Sequence, residues 1–270
     1  MTGRVKSFVR AVLPRTIRPR VILAGTLRGY RIVTSWHDYP AAITGRTERP
    51  LLDWFAENVK PGETWLDIGA HYGYTAIALC RLAGAAGRVI AFEPMISTAG
   101  CVAQTRRLNK LPQLIVLPLG LASPETLEMV QLPVTRGMVD RTLGKGEERR
   151  AGSERDEGAK DERRTTFQEA ILVARLDWLW PRLCDGRERI DGMKVDVQGM
   201  EIEVLKGMGD TLKRDRPKLV VEMHAGVDRN ELLGLIEGAG YSRRAIPVEP
   251  VGIEVEPQYL DNRSYLFEQA

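Results

Sequence analysis

The chain has 270 residues, enough for one large domain or a domain with an attached arm, and its hydrophobic fraction of 43% is that of an ordinary globular core rather than a disordered chain. Its 39 basic and 36 acidic side chains leave a formal charge of only +3, too small by itself to argue for a nucleic-acid partner. No stretch approaches the roughly 20 apolar residues of a membrane span, and the beginning of the sequence lacks the unbroken apolar core of a secretory signal, so a cytoplasmic protein is expected.

Charge is distributed unevenly at the start. Arg4, Lys6, Arg10, Arg15, Arg18, Arg20, Arg28 and Arg31 all precede the first acidic residue, Asp38. The simplest reading is a solvated basic arm; peripheral contact with an anionic membrane is the alternative, though no sustained apolar helix face accompanies the charges. Two β-prone runs around glycines in "RVILAGTLRGYRIVT" then predict a hairpin. Residues 1–46 are therefore read as arm and hairpin, and 47–270 as the main domain.

In "TERPLLDWFAENVKPGE" a one-sided stripe of Leu51, Leu52, Trp54, Phe55 and Val59 predicts a helix, with Pro50 in its first turn and Pro61-Gly62 closing it. Strands and helices now alternate: "TWLDIG", "YTAIALCRLA", "RVIAFEP", "TAGCVAQTRRLN" and "LIVLPLGLAS". A charged interruption follows at about 140–164, which cannot form a core and is read as an excursion, with a lid over the substrate as the lesser alternative. The alternation resumes with "IDGMKVDVQG", "MEIEVLKGM", "PKLVVEMH" and "DRNELLGLIEGAG", where Asp228 and Glu231 form a capping box, and two further strands, "YSRRAIPV" and "SYLFEQA", finish the chain. Such alternation predicts an α/β, Rossmann-like, doubly wound, mostly parallel sheet covered by helices on both faces. Three scattered cysteines, Cys80, Cys101 and Cys184, lack metal or redox spacing and read as reduced packing thiols.

Ligands of such sheets bind beyond the carboxyl ends of the strands, and "WLDIGAHYGY" sits at one. Asp67, Gly69, His71 and Gly73 form a loop whose glycines let backbone approach a ligand, and Glu93 in "VIAFEP" ends the next strand, where a carboxylate can accept from both hydroxyls of a ribose. The G-x-G-x-x-G turn of a dinucleotide site fits this spacing poorly. The loop resembles instead the D-x-G-x-x-x-G turn of class I methyltransferases. An NAD(P)-dependent oxidoreductase is the runner-up.

"MKVDVQGMEIEVLKGM" narrows the resemblance. It is similar to the K-x-D-x-E-G-x-E-x-x-V-L-x-G signature of the FkbM family of S-adenosylmethionine-dependent methyltransferases, accompanied in order by "WLDIGAHYGY", "VIAFEP", "ARLDWL" and "PKLVVEMH". The resemblance implies the class I methyltransferase fold and S-adenosylmethionine as cofactor. It also implies O-methylation of a hydroxyl on a small molecule, sugar or glycoconjugate. Carried across, it places Asp67, Gly69 and Gly73 on the methionine side of the cofactor, Glu93 on the ribose, and Lys194 and Asp196 towards the acceptor. Two departures are visible: Gln198 replaces a usual glutamate, which weakens any proposal of a base there, and His71 replaces a common asparagine.

An acceptor hydroxyl needs a group to take its proton, and Asp196 is the first candidate, ahead of Glu222, His224 and His37. Asp196 as a helix cap or as an ion-pair partner of Lys194 is the competing structural reading. Asp177, Asp196, Glu222 and His224 offer metal-ligand chemistry, but their separation gives no ligand spacing, so no metal is expected. Trp178 and Trp180 read as packing. A nucleobase methyltransferase would carry Asn/Asp-Pro-Pro-aromatic where this chain has "DVQG", and a basic stripe with interleaved aromatics is lacking, so no nucleic acid is expected. A cofactor-binding module without catalysis is the third reading.

Overall fold

The computed structural model describes residues 13–135, 138–139, 167–183, 188–249 and 257–270. The charged interruption at 140–164, Cys184 and the basic residues Arg4, Lys6 and Arg10 lie outside the described residues.

Strands β1 (Arg18–Val21) and β2 (Arg31–Thr34) pair antiparallel as the expected hairpin. Helices α1 (Pro40–Thr44) and α2 (Arg49–Asn58) lead into the alternating region: β3 (Thr64–Ile68), α3 (Tyr74–Ala83), β4 (Arg88–Phe92), α4 (Ile96–Leu108) and β5 (Leu114–Leu117). Four strands of a second sheet come next, β6 (Gly120–Leu121), β7 (Leu127–Thr135), β8 (Met138–Val139) and β9 (Phe167–Ala174), followed by the short helix α5 (Leu176–Leu179). The chain then returns through β10 (Gly192–Val195), α6 (Glu201–Lys206), α7 (Gly209–Asp215), β11 (Lys218–Met223), α8 (Arg229–Gly238), β12 (Ile246–Pro247) and β13 (Arg263–Phe267).

The main sheet has seven strands in the order β12-β13-β11-β10-β3-β4-β5. From β11 to β5 every neighbouring pair is parallel, while β13 is antiparallel to both of its neighbours. The expected α/β fold is therefore observed. Leaving β3, the chain moves outwards to β4 and β5, then crosses back to β10 on the other side of β3. That reversal makes the carboxyl ends of β3 and β10 the switch point of the sheet, where neighbouring connections diverge and leave a crevice.

Period-two alternation sorts the strand residues into two cores. Leu66, Ile68, Ile90, Phe92, Met193, Val195, Leu219 and Val221 bury on one face, and Trp65, Val89, Ala91 and Val220 on the other. β3 is buried throughout, Asp67 included, because both faces of a parallel sheet are covered. Ile22, Leu27, Ile32 and Val33 of the hairpin join the second core with Leu51, Phe55 and Val102. The hairpin is fastened to α4 by the Val33 amide donating to Thr105 Oγ1 at 2.9 Å and by the Arg31 amide donating to Asn109 Oδ1 at 2.8 Å. It thus shares the core of the main domain.

The second sheet, in the order β6-β9-β7-β8, was not foreseen. "LIVLPLGLAS" reads as one strand, but Pro118 offers no amide to a ladder and ends β5 at Leu117; Gly120 and Leu121 then pair with β9 instead. β7 and β9 pair antiparallel across the two sides of the charged interruption, so their long ladder joins segments far apart in sequence, and only the two-residue β8 pairs with β7 locally. The Asp228 cap of α8 is half of the expected box: its carboxylate accepts from the amides of Asn230 and Glu231, while Glu231 pairs with Lys206 at 2.8 Å. Cys80 and Cys101 are buried free thiols.

Candidate active site

Lys194 on β10 is the register partner of Asp67 on β3, so both side chains leave the same face of the sheet. Asp196, two residues on, follows on that face; Glu222 and His224, in phase with Val220 on β11, do the same. The Lys194 ammonium, 3% exposed, lies 3.0 Å from Asp196 Oδ2 and 3.5 Å from Asp67 Oδ1. Burial disfavours its charge, but Asp196 and Asp67 outweigh burial and raise its pKa, so Lys194 is a fixed cation and not a base. The ion-pair reading of Asp196 is present in the structure; the helix-cap reading is not, since the amide of Gly199 is taken by Glu201 Oε1 at 3.0 Å.

Asp67 Oδ2 accepts from the Thr75 hydroxyl at 2.7 Å, tying the strand end to the first turn of α3. The loop between them is folded back on β4, with the amides of Gly69 and Ala70 both donating to the Phe92 carbonyl at 3.0 Å. Gly69 has φ +82°, and a β-carbon there would stand 1.8 Å from the Asp196 carbonyl oxygen. A β-carbon at Gly73, φ +83°, would meet Val102. Both glycines are thus required by close approach within the chain, whatever lies beside the loop.

Glu93 Oε2 accepts from the His71 amide at 2.8 Å and Oε1 from the Met95 amide at 3.1 Å. Burial raises its pKa to about 7, partly offset by those two amides. Each oxygen keeps acceptor capacity for a further donor. His71, at φ 50°, packs its ring on Tyr39 and Tyr72 at centroid distances of 5.0 and 4.5 Å, and burial lowers its pKa to about 4, so it is neutral near pH 7.

These groups surround a cavity of about 300 Å³ at the switch point. Gly69, His71, Glu93, Lys194 and Asp196 line it, whereas Asp67 and Gly73 stand behind its wall. Glu222 and His224 lie beside it through Asp196: His224 Nε2 is 3.5 Å from Asp196 Oδ1 and 3.4 Å from Glu222 Oε1. Burial opposes a charge on His224, yet hydrogen bonds with Glu201 and Glu222 outweigh it and raise its pKa to about 10. His37 pairs with Asp38 at 3.0 Å and does not line the cavity. Asp177 is likewise elsewhere, accepting from the amides of Asp210 and Thr211 at the start of α7. Trp180 is fully buried with Nε1 donating to the Glu188 carbonyl, as packing requires.

Residues 67–243 match the methyltransferase FkbM domain, more than half of the chain. The chain belongs to the FkbM methyltransferase family. This membership sets aside the nicotinamide oxidoreductase reading. Among individual proteins, this FkbM chain is similar to AMB antimetabolite synthetase AmbE of Pseudomonas aeruginosa, 28% identical over 188 residues; these are 61% of this chain and only 8% of that protein. Its fold is similar to that of the methyltransferase FkbM from Methylobacillus flagellatus, with TM-score 0.44, 16% identity and coverage of 80% of this chain and 50% of the other. Aeropyrum pernix fibrillarin, crystallised with natively bound S-adenosyl-L-methionine, gives TM-score 0.47 at 13% identity, covering 94% and 88% of the two chains. Among the described residues no helix of the FkbM chain is long and apolar enough to cross a membrane.

Several cavity residues escaped the sequence reading. Tyr39 and Glu48 reach the cavity from the segment before α2, and Met95, Leu121, Val130, Ile171 and Val173 line its apolar side, the last four from the second sheet. Burial raises the pKa of Glu48, with Lys194 acting in the opposite direction. Glu201, behind the cavity wall, was also missed although it carried a sequence signal: it is the second acid of the "VDVQGMEIEVL" signature, fully buried, with Oε1 2.6 Å from His224 Nδ1.

Proposed function

We propose that this FkbM chain uses S-adenosylmethionine to methylate a hydroxyl oxygen of a small molecule, sugar or glycoconjugate. The observation that carries the reading is the placement of Glu93 and the Lys194–Asp196 pair on the wall of one cavity at the switch point. The residues fit the cofactor. Glu93 is a buried carboxylate whose partners are two backbone amides, leaving lone pairs for ribose hydroxyls, and the volume falls at the lower end of the roughly 300–1,000 Å³ of small-molecule pockets. Leu119, Leu121 and Met95 supply apolar walls for a planar base.

The cofactor supplies a methyl group on a sulfonium whose positive charge is lost on transfer. Around it, this chain positions and desolvates, and those effects can supply several kcal/mol of the acceleration. Lys194 holds Asp196 in place through Oδ2, and Asp196 Oδ1, buried without a hydrogen-bond donor and 3.5 Å from His224 Nε2, is the carboxylate oxygen left to accept the proton of the hydroxyl. Lys194 itself acts as a permanent charge that offsets the buried Asp67 and the partly exposed Asp196 and holds both strand ends together. The remaining apolar wall, Val130, Ile171 and Val173, favours an acceptor with a hydrophobic portion.

Calorimetry with S-adenosylhomocysteine tests the cofactor, and incubation of extracts with methyl-labelled S-adenosylmethionine tests the transfer. Saturable binding and a labelled product that keeps the label through mild base, as an ether does and an ester does not, are expected. Binding with no labelled product would leave a cofactor-binding module without catalysis.

A further inference from the structure

Strands β10 and β11 end in a cluster that the expectation of a metal-free site did not foresee. Asp196, Glu222 and His224 each bring one ligand atom to within 4.8 Å of the other two. Spacing along the chain concealed this, because the three come from the ends of two adjacent parallel strands. The fourth sequence candidate, Asp177, is used as a cap at α7.

Three further observations point to a cation. The imidazole of His224 is nine-tenths buried, and its Nδ1 is held by Glu201 Oε1 at 2.6 Å, which turns Nε2 towards Asp196 and Glu222. A carboxylate on the far nitrogen is how a metal-bound histidine is oriented and made more basic. Moreover, Asp196 Oδ1 is buried without a hydrogen-bond donor, and it is this oxygen, not the one held by Lys194, that faces His224. Gln198, in the left-handed region at φ 54°, brings its side-chain amide to 3.1 Å from the same Nε2, where a flipped amide would present an oxygen. Three carboxylates around one imidazole favour an additional positive charge at that point. A proton can supply it, and so can a metal ion.

We propose that Asp196 Oδ1, Glu222 Oε1 and His224 Nε2 form a divalent-metal site beside the acceptor side of the cavity. One nitrogen and two carboxylate oxygens suit Mn²⁺ or Zn²⁺ better than Mg²⁺, which prefers oxygen throughout. A cation there would lower the pKa of a neighbouring acceptor hydroxyl, so that Asp196 would hold the ion and need not take the proton. The inference rests on the proposed methyl transfer for its purpose, but metal binding is measurable without it.

The test is titration of Mn²⁺ into chelator-treated full-length protein, read by loss of the free-ion electron paramagnetic resonance signal. One saturable site per chain is expected. Asp196→Asn, Glu222→Gln and His224→Ala should each weaken it at least tenfold, and Glu201→Gln about tenfold through the orientation of His224. Glu222→Gln, isosteric and at a partly exposed position, serves where the other variants fail to fold. Absence of a saturable site, or a site that Glu222→Gln leaves unchanged, overturns the proposal. S-adenosylhomocysteine binding measured on the same samples separates the readings: its retention without Mn²⁺ binding sinks only the metal, and Mn²⁺ binding without it sinks the methyltransfer.

Discussion

Lys194 and Asp67 stand opposite each other in register on adjacent parallel strands, and the ammonium of the first is buried 3.5 Å from a carboxylate oxygen of the second. With Asp196 at 3.0 Å on its other side, the lysine joins the two strands at the point where the sheet reverses direction. An exposed pair would contribute at most about 1 kcal/mol, but removing one member of a buried set strands the other charges.

Replacing Lys194 by methionine should therefore lower stability by about 3–5 kcal/mol. Urea unfolding of the wild type and variant gives the difference directly. A loss below about 1 kcal/mol would mean that water already screens the two aspartates.

If Glu93 holds the ribose as proposed, cofactor affinity should depend on pH. Its pKa is about 7 in the folded, ligand-free protein against an ordinary 4.5. The folded state binds the extra proton, so the stability linked to this group is complete below about 4.5 and is lost as pH rises through about 7. Ribose hydroxyls need the ionised carboxylate, so affinity for S-adenosylhomocysteine should run the other way, falling below pH 7 by up to tenfold per unit as ligand competes with proton. Calorimetry from pH 5.5 to 8 should show the fall, and Glu93→Gln should flatten it. Glu93→Ala should weaken binding by about 1.5–3 kcal/mol, the range for a hydrogen bond to a charged group. A variant that binds like the wild type at pH 8 removes Glu93 from the site.

Gly69 and Gly84 form a matched pair, at φ +82° and +69°, but a β-carbon meets the Asp196 carbonyl at the first and nothing within 4 Å at the second. Gly84, with ψ −173°, sits in a region essentially confined to glycine, and Gly84→Ala should cost about 1–3 kcal/mol for that conformation alone. Gly69→Ala must in addition push β3 and β10 apart, and thermal unfolding should place it well below Gly84→Ala. Equal melting temperatures would show that the two strand ends can separate freely.

Asp177 accepts from two amides at the start of α7, at 3.1 and 2.8 Å. Its replacement by alanine should cost about 0.5–2 kcal/mol, as loss of a helix cap does, and leave Mn²⁺ binding unaltered. Chemical denaturation and the paramagnetic titration are the two readouts. Weakened Mn²⁺ binding would return Asp177 to the list of ligands.

Period and punctuation made the main sheet legible. β3, β4, β10 and β11 are short apolar runs bounded by glycine, proline or acid, and α2 and α8 carry an apolar stripe with a cap or breaker at their ends, so local chemistry alone identifies them. The glycine loop, Glu93 and Asp196 were legible for the same reason, each ending a strand, while Lys194 was legible only through the resemblance to the FkbM signature. The small sheet was not. β7 and β9 find each other across the charged interruption, and β6 joins them only because Pro118 cuts "LIVLPLGLAS" in two.

By itself the sequence determined the alternation of strands and helices, the parity of side chains along each strand, and the signature that belongs to one methyltransferase family, because all three are written in neighbouring residues. Only the tertiary structure decided that Lys194 faces Asp67, that Tyr39 and Glu48 enter the cavity, and that Asp196, Glu222 and His224 share one corner. Those meetings depend on strand order and register, which are set by how two apolar faces of a sheet are covered, and that is a property of the whole packed chain.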